Sequence, residues 1–205
     1  AISLPDLPFA LKDVSRVSII ACGTSYYAGL VARYWIESLA GVPVEIDVSS
    51  EFRYRMPPLA EGGVALFISQ SGETADTLAA LRFAKEKGQN IVAVVNVPES
   101  TMAREADIVL PTRAGPEIGV ASTKAFTTQL VTLACFTLAL ARAKGALSAA
   151  REAELSHALA EVPARAADVL AHDERIRGLA EVLTNATTVL YIGRGSCYPV
   201  ALEGA

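Results

Sequence analysis

Val64-Ala65-Leu66-Phe67-Ile68-Ser69-Gln70-Ser71-Gly72-Glu73-Thr74 is the stretch whose reading decides the fold. A short apolar run, of the length of a buried strand, ends in Ser-Gln-Ser, a glycine, an acid and a threonine. Residues 75–87 then carry the spacing of a helix. The string therefore reads as a strand, a hydroxyl-rich turn and a helix start. The first amides of a helix have no internal partner, and the helix dipole places partial positive charge on them, so this arrangement suits an anion. Ser69, Ser71 and Thr74 add hydroxyl donors. A loop that cradles a nucleoside triphosphate wants Gly-Lys-Ser/Thr, and the turn has no lysine, so a single small phosphate fits better. On the turn alone, simple helix capping by Ser71 or Thr74 explains the same residues.

Working outward, the device recurs. Residues 17–21 are a short apolar run that enters Cys22-Gly23-Thr24-Ser25, followed by a helical pattern over 26–39 closed by Gly41 and Pro43. A second strand is expected over 42–48, with Ser49 or Ser50 capping an element that Pro57-Pro58 ends. The helix after Ser69 stops at Lys87, before Gly88. A fourth strand over 91–95, a short helix over 100–106 and a fifth strand over 107–110 follow. Near-continuous Ile/Val runs alternating with helices predict an α/β fold, a three-layer doubly wound sheet of about five parallel strands. Ligands bind at the carboxyl ends of such strands, where both hydroxyl-rich turns lie. Beyond a loop containing Gly115-Pro116, Ser122 is a natural cap for a long helix to about residue 144. That helix is apolar nearly all round, which predicts burial or a partner. Residues 148–183 are rich in Ala and Glu and read as helices broken at Pro163.

There is also an internal echo. Val189-Leu190-Tyr191-Ile192-Gly193-Arg194-Gly195-Ser196-Cys197-Tyr198 repeats the strand, Gly-containing turn, Ser, Tyr and helix of residues 19–27, about one domain later in the chain. The expected organisation is a connector over 1–16, a first domain over 17–146, a helical connector over 147–187, and over 188–205 the truncated start of a second copy, whose lone strand cannot make a sheet. With no initiator Met, the chain is expected to begin inside a longer protein.

The composition excludes several classes. The chain has 205 residues, 52% hydrophobic and 20% charged, enough for a large core and too apolar for disorder. A net charge of −4 advertises no basic face, which argues against nucleic acid. The longest apolar run, 130–141, is 12 residues, whereas a membrane span needs about 20. Cys22, Cys135 and Cys197 are scattered, without metal-ligand spacing to His157 or His172, so neither a metal site nor a disulfide framework is expected.

Four separated strings carry a resemblance: Ser69 to Thr74; Cys22 to Ser25; Ser49-Ser50-Glu51-Phe52-Arg53-Tyr54-Arg55; and Gly119-Val120-Ala121-Ser122-Thr123-Lys124-Ala125-Phe126-Thr127-Thr128-Gln129-Leu130. Together they resemble the SIS (sugar isomerase) domain family, and within it the isomerase half of the glutamine–fructose-6-phosphate aminotransferases. Residues 191–205 resemble the opening of a second SIS domain, so the likeness covers essentially the whole chain. With four motifs agreeing, the phosphate reading displaces simple capping at Ser69 to Thr74. The resemblance implies a reaction that makes glucosamine 6-phosphate from fructose 6-phosphate and glutamine-derived ammonia, with no cofactor and no metal. It further implies a homodimer with a glutaminase domain upstream, while the odd count of scattered cysteines suits a reducing, cytoplasmic setting.

By resemblance, Ser69, Gln70, Ser71 and Thr74 hold the phosphate, while Thr24, Ser25, Val120 and Ser122 contact the sugar end. For Thr24, Ser25 and Ser122 capping and ligand contact both remain open. The family's catalytic lysine, glutamate and histidine are expected beyond residue 205 and its nucleophilic cysteine before residue 1. Lys124 does not match the catalytic lysine, and Glu203 is at most a peripheral candidate. The expectation is a chain that binds fructose, glucose or glucosamine 6-phosphate weakly without turning it over. Two other readings are a non-catalytic sugar-phosphate sensor domain and another SIS enzyme such as a phosphosugar deglycase, which the upstream sequence would separate.

Overall fold

The computed structural model describes residues 2–118 and 122–205. Five strands form one parallel sheet: Val17–Ala21 (β1), Val44–Val48 (β2), Val64–Ser69 (β3), Asn90–Val95 (β4) and Ile108–Pro111 (β5). Their spatial order is β2-β1-β3-β4-β5. The helices are Gly23–Trp35 (α1), Ser49–Arg55 (α2), Ala75–Glu86 (α3), Thr101–Glu105 (α4), Thr123–Ala143 (α5), Ala149–Leu170 (α6), Asp173–Leu183 (α7) and Cys197–Gly204 (α8). A π-helical turn, Ile36–Ala40, prolongs α1 until Gly41 ends it at φ 65°. This is the three-layer α/β architecture expected from the strand runs.

Side chains alternate across the sheet. Ile19, Leu66, Ile68, Val92 and Val94 point to one face and pack with Ala28, Ala32 and Ile36 of the α1 segment and Leu133, Phe136 and Leu140 of α5. Ile20, Ala65, Phe67, Ile91 and Ala93 point to the other, against Phe52 of α2, Leu78 and Leu81 of α3 and Met102 of α4. Each such large side chain removed from water contributes about 1.5–3 kcal/mol before entropy is counted. A Cβ on Gly29 would lie 2.8 Å from Ile19 Cγ2 and 2.9 Å from Ile46 Cδ1, so its absence lets α1 approach the sheet closely.

In this strand order the chain turns one way after β1 and the other way after β3, and β1 and β3 are neighbours, with Ile20 opposite Phe67. The connections leaving their carboxyl ends diverge and open a crevice there. That crevice places the two hydroxyl-rich turns side by side.

Three local expectations are corrected. Neither Ser49 nor Ser50 caps α2: Val48 is its N-cap, and the Ser49 hydroxyl is fully buried, accepting from Thr77 Oγ1 at 2.9 Å. Ser122 is the N-cap residue of α5, but its side chain caps no N–H. Pro163 does not break the helix over 148–183. It sits inside α6, and the break falls after Leu170. A proline costs a helix one N–H bond and some local bending, and the exposed surroundings of Pro163 leave room for both.

Residues 165–195 are exposed throughout, and over 188–192 no strand forms. Beyond them α8 returns to the body of the molecule, packing on α1. Among the described residues one helix, α5, is long and apolar enough to cross a membrane, and half of that stretch is buried within the protein.

Candidate functional site

A cleft of about 360 Å³ lies over the carboxyl ends of β1 and β3. Cys22, Gly23, Thr24 and Ser25 line it from the first turn, Ser69, Gln70, Ser71 and Thr74 from the second, and Ser122 from the start of α5. Seven of the eight residues expected at the site from sequence thus meet in one place. The eighth, Val120, lies outside the described residues.

Three helices, α1, α3 and α5, begin at this cleft. Their N-cap residues, Cys22, Thr74 and Ser122, make no side-chain cap hydrogen bond. Elsewhere, Ser100 caps α4 by accepting from Ala103 N at 3.3 Å, and Ser148 caps α6 by accepting from Arg151 N at 3.2 Å. The capping explanation of Thr74 and Ser122 therefore fails on geometry. At α5 the work is done from a distance: a Glu117 carboxylate oxygen accepts the Ala125 N–H at 3.2 Å. The starts of α1 and α3, without side-chain caps, leave N–H groups and partial positive charge at the cleft.

The hydroxyls are polarised by their neighbours. Ser69 Oγ accepts the Gly72 N–H at 3.0 Å and Ser71 Oγ accepts the Glu73 N–H at 3.2 Å. Ser25 Oγ, on α1, accepts from Gln129 Nε2 at 2.9 Å. A hydroxyl that accepts an N–H keeps its own proton to donate. Thr24 is the reverse: its Oγ1 donates to Glu203 Oε1 at 2.8 Å, so it offers lone pairs only. Ser25 and Ser71 thus present donors and Thr24 an acceptor, while the Ser69 and Thr74 hydroxyls lie 3.4 Å apart and share a proton between them. Thr77 Oγ1 donates to Ser49, so the Cys22 thiol 3.5 Å from it is the donor in that pair.

The turn after β3 is braced by α4. Gly72 has φ +68°, and a Cβ there would sit 2.2 Å from Ser100 Oγ. The Gly72 carbonyl accepts from Met102 N at 3.1 Å, and Glu73 Oε1 accepts from Thr101 N at 2.7 Å. That last bond holds the Glu73 carboxyl below the usual carboxylate range. It also directs the acid of the motif at a helix start instead of at the cleft.

Asn96 is a bracing residue that sequence reasoning missed. Its N–H donates to the Gln70 carbonyl at 3.2 Å, and its side-chain amide grips the loop beyond β5, donating to Gly115 O at 2.7 Å and accepting from Ala114 N at 2.7 Å. Its place, one residue past a parallel strand, was the available signal. Gln129 was missed as a ligand-site neighbour too; an amide side chain within a largely apolar helical run was its signal.

Among the described residues no three His, Cys, Asp or Glu side chains gather where they could hold a metal ion. Burial pushes the Cys135 thiol up from its ordinary value, as befits a core side chain. Lys124 is not among the residues lining the cleft, and its Nζ donates to the Pro116 carbonyl.

Residues 10–139 match the SIS domain. The chain is 60% identical over 204 residues to a glutamine–fructose-6-phosphate aminotransferase (isomerizing) of Zymomonas mobilis, covering all of this chain and 34% of that protein. It is 58% identical over 205 residues to a protein of the same name from Bradyrhizobium diazoefficiens, again covering 34% of it. The chain therefore spans about a third of the length of the curated relatives it matches. Among solved structures, the C-terminal domain of glucosamine-fructose-6-phosphate aminotransferase from Francisella tularensis is similar at a TM-score of 0.92 and 44% identity, over 96% of this chain and 56% of that one.

Proposed function

The chain belongs to the SIS domain family, and from that premise we propose that it is the phosphate-gripping part of the isomerase unit of a cytoplasmic glutamine–fructose-6-phosphate aminotransferase. In this reading Ser69, Gln70, Ser71 and Thr74 hold the phosphate of a hexose 6-phosphate, and Thr24, Ser25, Val120 and Ser122 meet the sugar. The observation that carries it is the polarity of the cleft: Ser25 and Ser71 each accept a protein N–H and so donate outward, beside the starts of α1 and α3, whose N-cap residues make no side-chain cap bond. Donors at helix N-termini favour an oxyanion without any lysine. Thr24, an acceptor, suits a sugar hydroxyl. The names of the relatives supply the substrate class, fructose 6-phosphate, and the parent activity.

Moving a proton between adjacent sugar carbons needs a positioned base. The described lining of the cleft offers only the Cys22 thiol, directed at Thr77, while Glu203 reaches the cleft through Thr24. The 205 residues therefore bind a hexose 6-phosphate without interconverting it. Residues 188–205, with their echo of the first turn, are read as the opening of a second SIS unit.

Isothermal titration of the 205-residue chain tests this. Fructose 6-phosphate binds measurably and fructose does not, and a coupled assay detects no glucose 6-phosphate. Equal binding of fructose and its phosphate defeats the anion reading; steady isomerisation defeats the reading that the chain only binds.

A further inference from the structure

We infer that Gln129 is a positioning residue that fixes Ser25 as a hydrogen-bond donor to the bound ligand. The inference rests on the anion-site reading above and deepens it. Gln129 sits on α5 with 1% of its surface exposed, and among the described residues its side chain's one polar partner is Ser25, 104 residues earlier and itself 8% exposed. Its carbonyl oxygen Oε1 is buried without a partner. That asymmetry sets the direction of the bond. Turning the amide over would let Oε1 accept from Ser25 but would leave the NH2 group with no acceptor, and orphaned buried donors are rarer than under-satisfied carbonyl oxygens. With Nε2 donating, one lone pair of Ser25 Oγ is occupied and the hydroxyl proton is turned to the cleft that Ser25 lines.

The neighbouring hydroxyl is set the opposite way. Thr24 Oγ1 gives its proton to Glu203, so two adjacent residues on one helix turn present opposite polarity to the same cleft. Neither polarity follows from the Thr-Ser pair itself. Each is imposed by a side chain from a remote part of the chain, α5 in one case and α8 in the other. A ligand that places an acceptor at Ser25 and a hydroxyl donor at Thr24 satisfies both, and one that reverses them meets two clashes of polarity.

The test is a double-mutant cycle on the 205-residue chain with fructose 6-phosphate as the titrant. Gln129→Met keeps the shape and removes the amide. It is expected to weaken binding about five- to tenfold, because Ser25 loses the partner that aims its proton. The melting temperature is expected to hold or rise, since a buried carbonyl without a partner is removed with it. In a Ser25→Ala background the same substitution is expected to change affinity by less than about twofold, because there is no hydroxyl left to aim. Binding by Gln129→Met equal to the unmodified chain overturns the inference. So does a loss of the same size in both backgrounds, which would make Gln129 a general support of α5. If Gln129→Met does not fold, Gln129→Leu serves in the same cycle with the same outcomes. Failure of the unmodified chain to bind fructose 6-phosphate, with the fold intact, sinks the anion-site reading itself, so the two failures are distinguishable.

Discussion

Residues 19–27 and 189–198 are nearly the same sequence device, and they end up in different structures. Both keep the local part: Gly23 has φ +53° and Gly195 has φ +61°, and each is followed closely by a helix. The strand differs. Every residue of β1 is buried and four of the five are paired with a neighbour on both sides, whereas Val189, Leu190, Tyr191 and Ile192 are 49%, 83%, 51% and 84% exposed and form no strand. A helix closes its hydrogen bonds within its own segment, so α8 needs only α1 to lean on. A strand takes its bonds from other strands, and among the described residues 188–192 has none beside it. The two copies show which parts of the device are written locally and which are lent by the sheet.

The comparison breaks most visibly in the core. Ile19→Ala is expected to cost about 3 kcal/mol or more, because Ile19 is fully buried between α1 and the sheet. Ile192→Ala, the same change in the echo, is expected to stay within about 0.5 kcal/mol. Urea denaturation of the two variants measures both. A comparable loss at Ile192 would show that 188–192 is packed in solution and that the copies differ less than described.

The turns come next. Gly72→Ala puts a Cβ into Ser100 at a positive φ, so a loss of about 2 kcal/mol is expected, together with most of the affinity for fructose 6-phosphate. Gly195→Ala meets no atom within 4 Å and carries only the strain of its φ, about 1 kcal/mol. Calorimetry separates them. Equal costs would mean that the α4 brace yields to the methyl group.

Local chemistry was legible in the sequence, and long-range chemistry was not. Ile/Val runs over 17–21, 64–68 and 91–95 gave strands because a strand covered on both faces must be apolar throughout. Ser69 to Thr74 and Thr24-Ser25 could be placed in one cleft because parallel strands end on one edge. Ser122 was misjudged as a cap because the group that caps α5 is Glu117, which a pattern centred on the N-cap position does not weigh. Pro163 was misjudged because a proline's effect depends on what surrounds the bent helix. Gln129 and Asn96 escaped notice because their meaning lies in partners on other elements, Ser25 in one case and the 112–115 loop in the other. The gap between the two copies of the turn has the same source.

Smaller effects sharpen the contrast between a turn that faces a ligand and one that does not. Ser71→Ala removes one outward donor and is expected to weaken fructose 6-phosphate binding about tenfold, the worth of one hydrogen bond to a charged group. Ser196→Ala is expected to leave affinity within about twofold, since Ser196 makes no side-chain cap bond and lies outside the cleft lining. Titration calorimetry decides it. A large effect at Ser196 would bring the second turn into the site.

The smallest expected effect belongs to Glu73, whose carboxylate is tied to the Thr101 N–H and titrates below its ordinary range. A carboxyl with a lowered folded-state pKa stabilises the fold above its unfolded value, near 4.3, and that contribution disappears as pH falls through the lower folded value. The brace between the turn and α4 is therefore expected to loosen only in acid, below about pH 4. Hydrogen exchange at the Gly72, Glu73 and Thr101 amides would accelerate there relative to Gly195, whose turn holds no acid. Glu73→Gln keeps an oxygen for Thr101 and has nothing to titrate, so the acid-dependent difference between the two turns vanishes in that variant. If the difference persists, the loosening arises from another carboxylate, and Glu73 is not what holds the site turn more firmly than its echo.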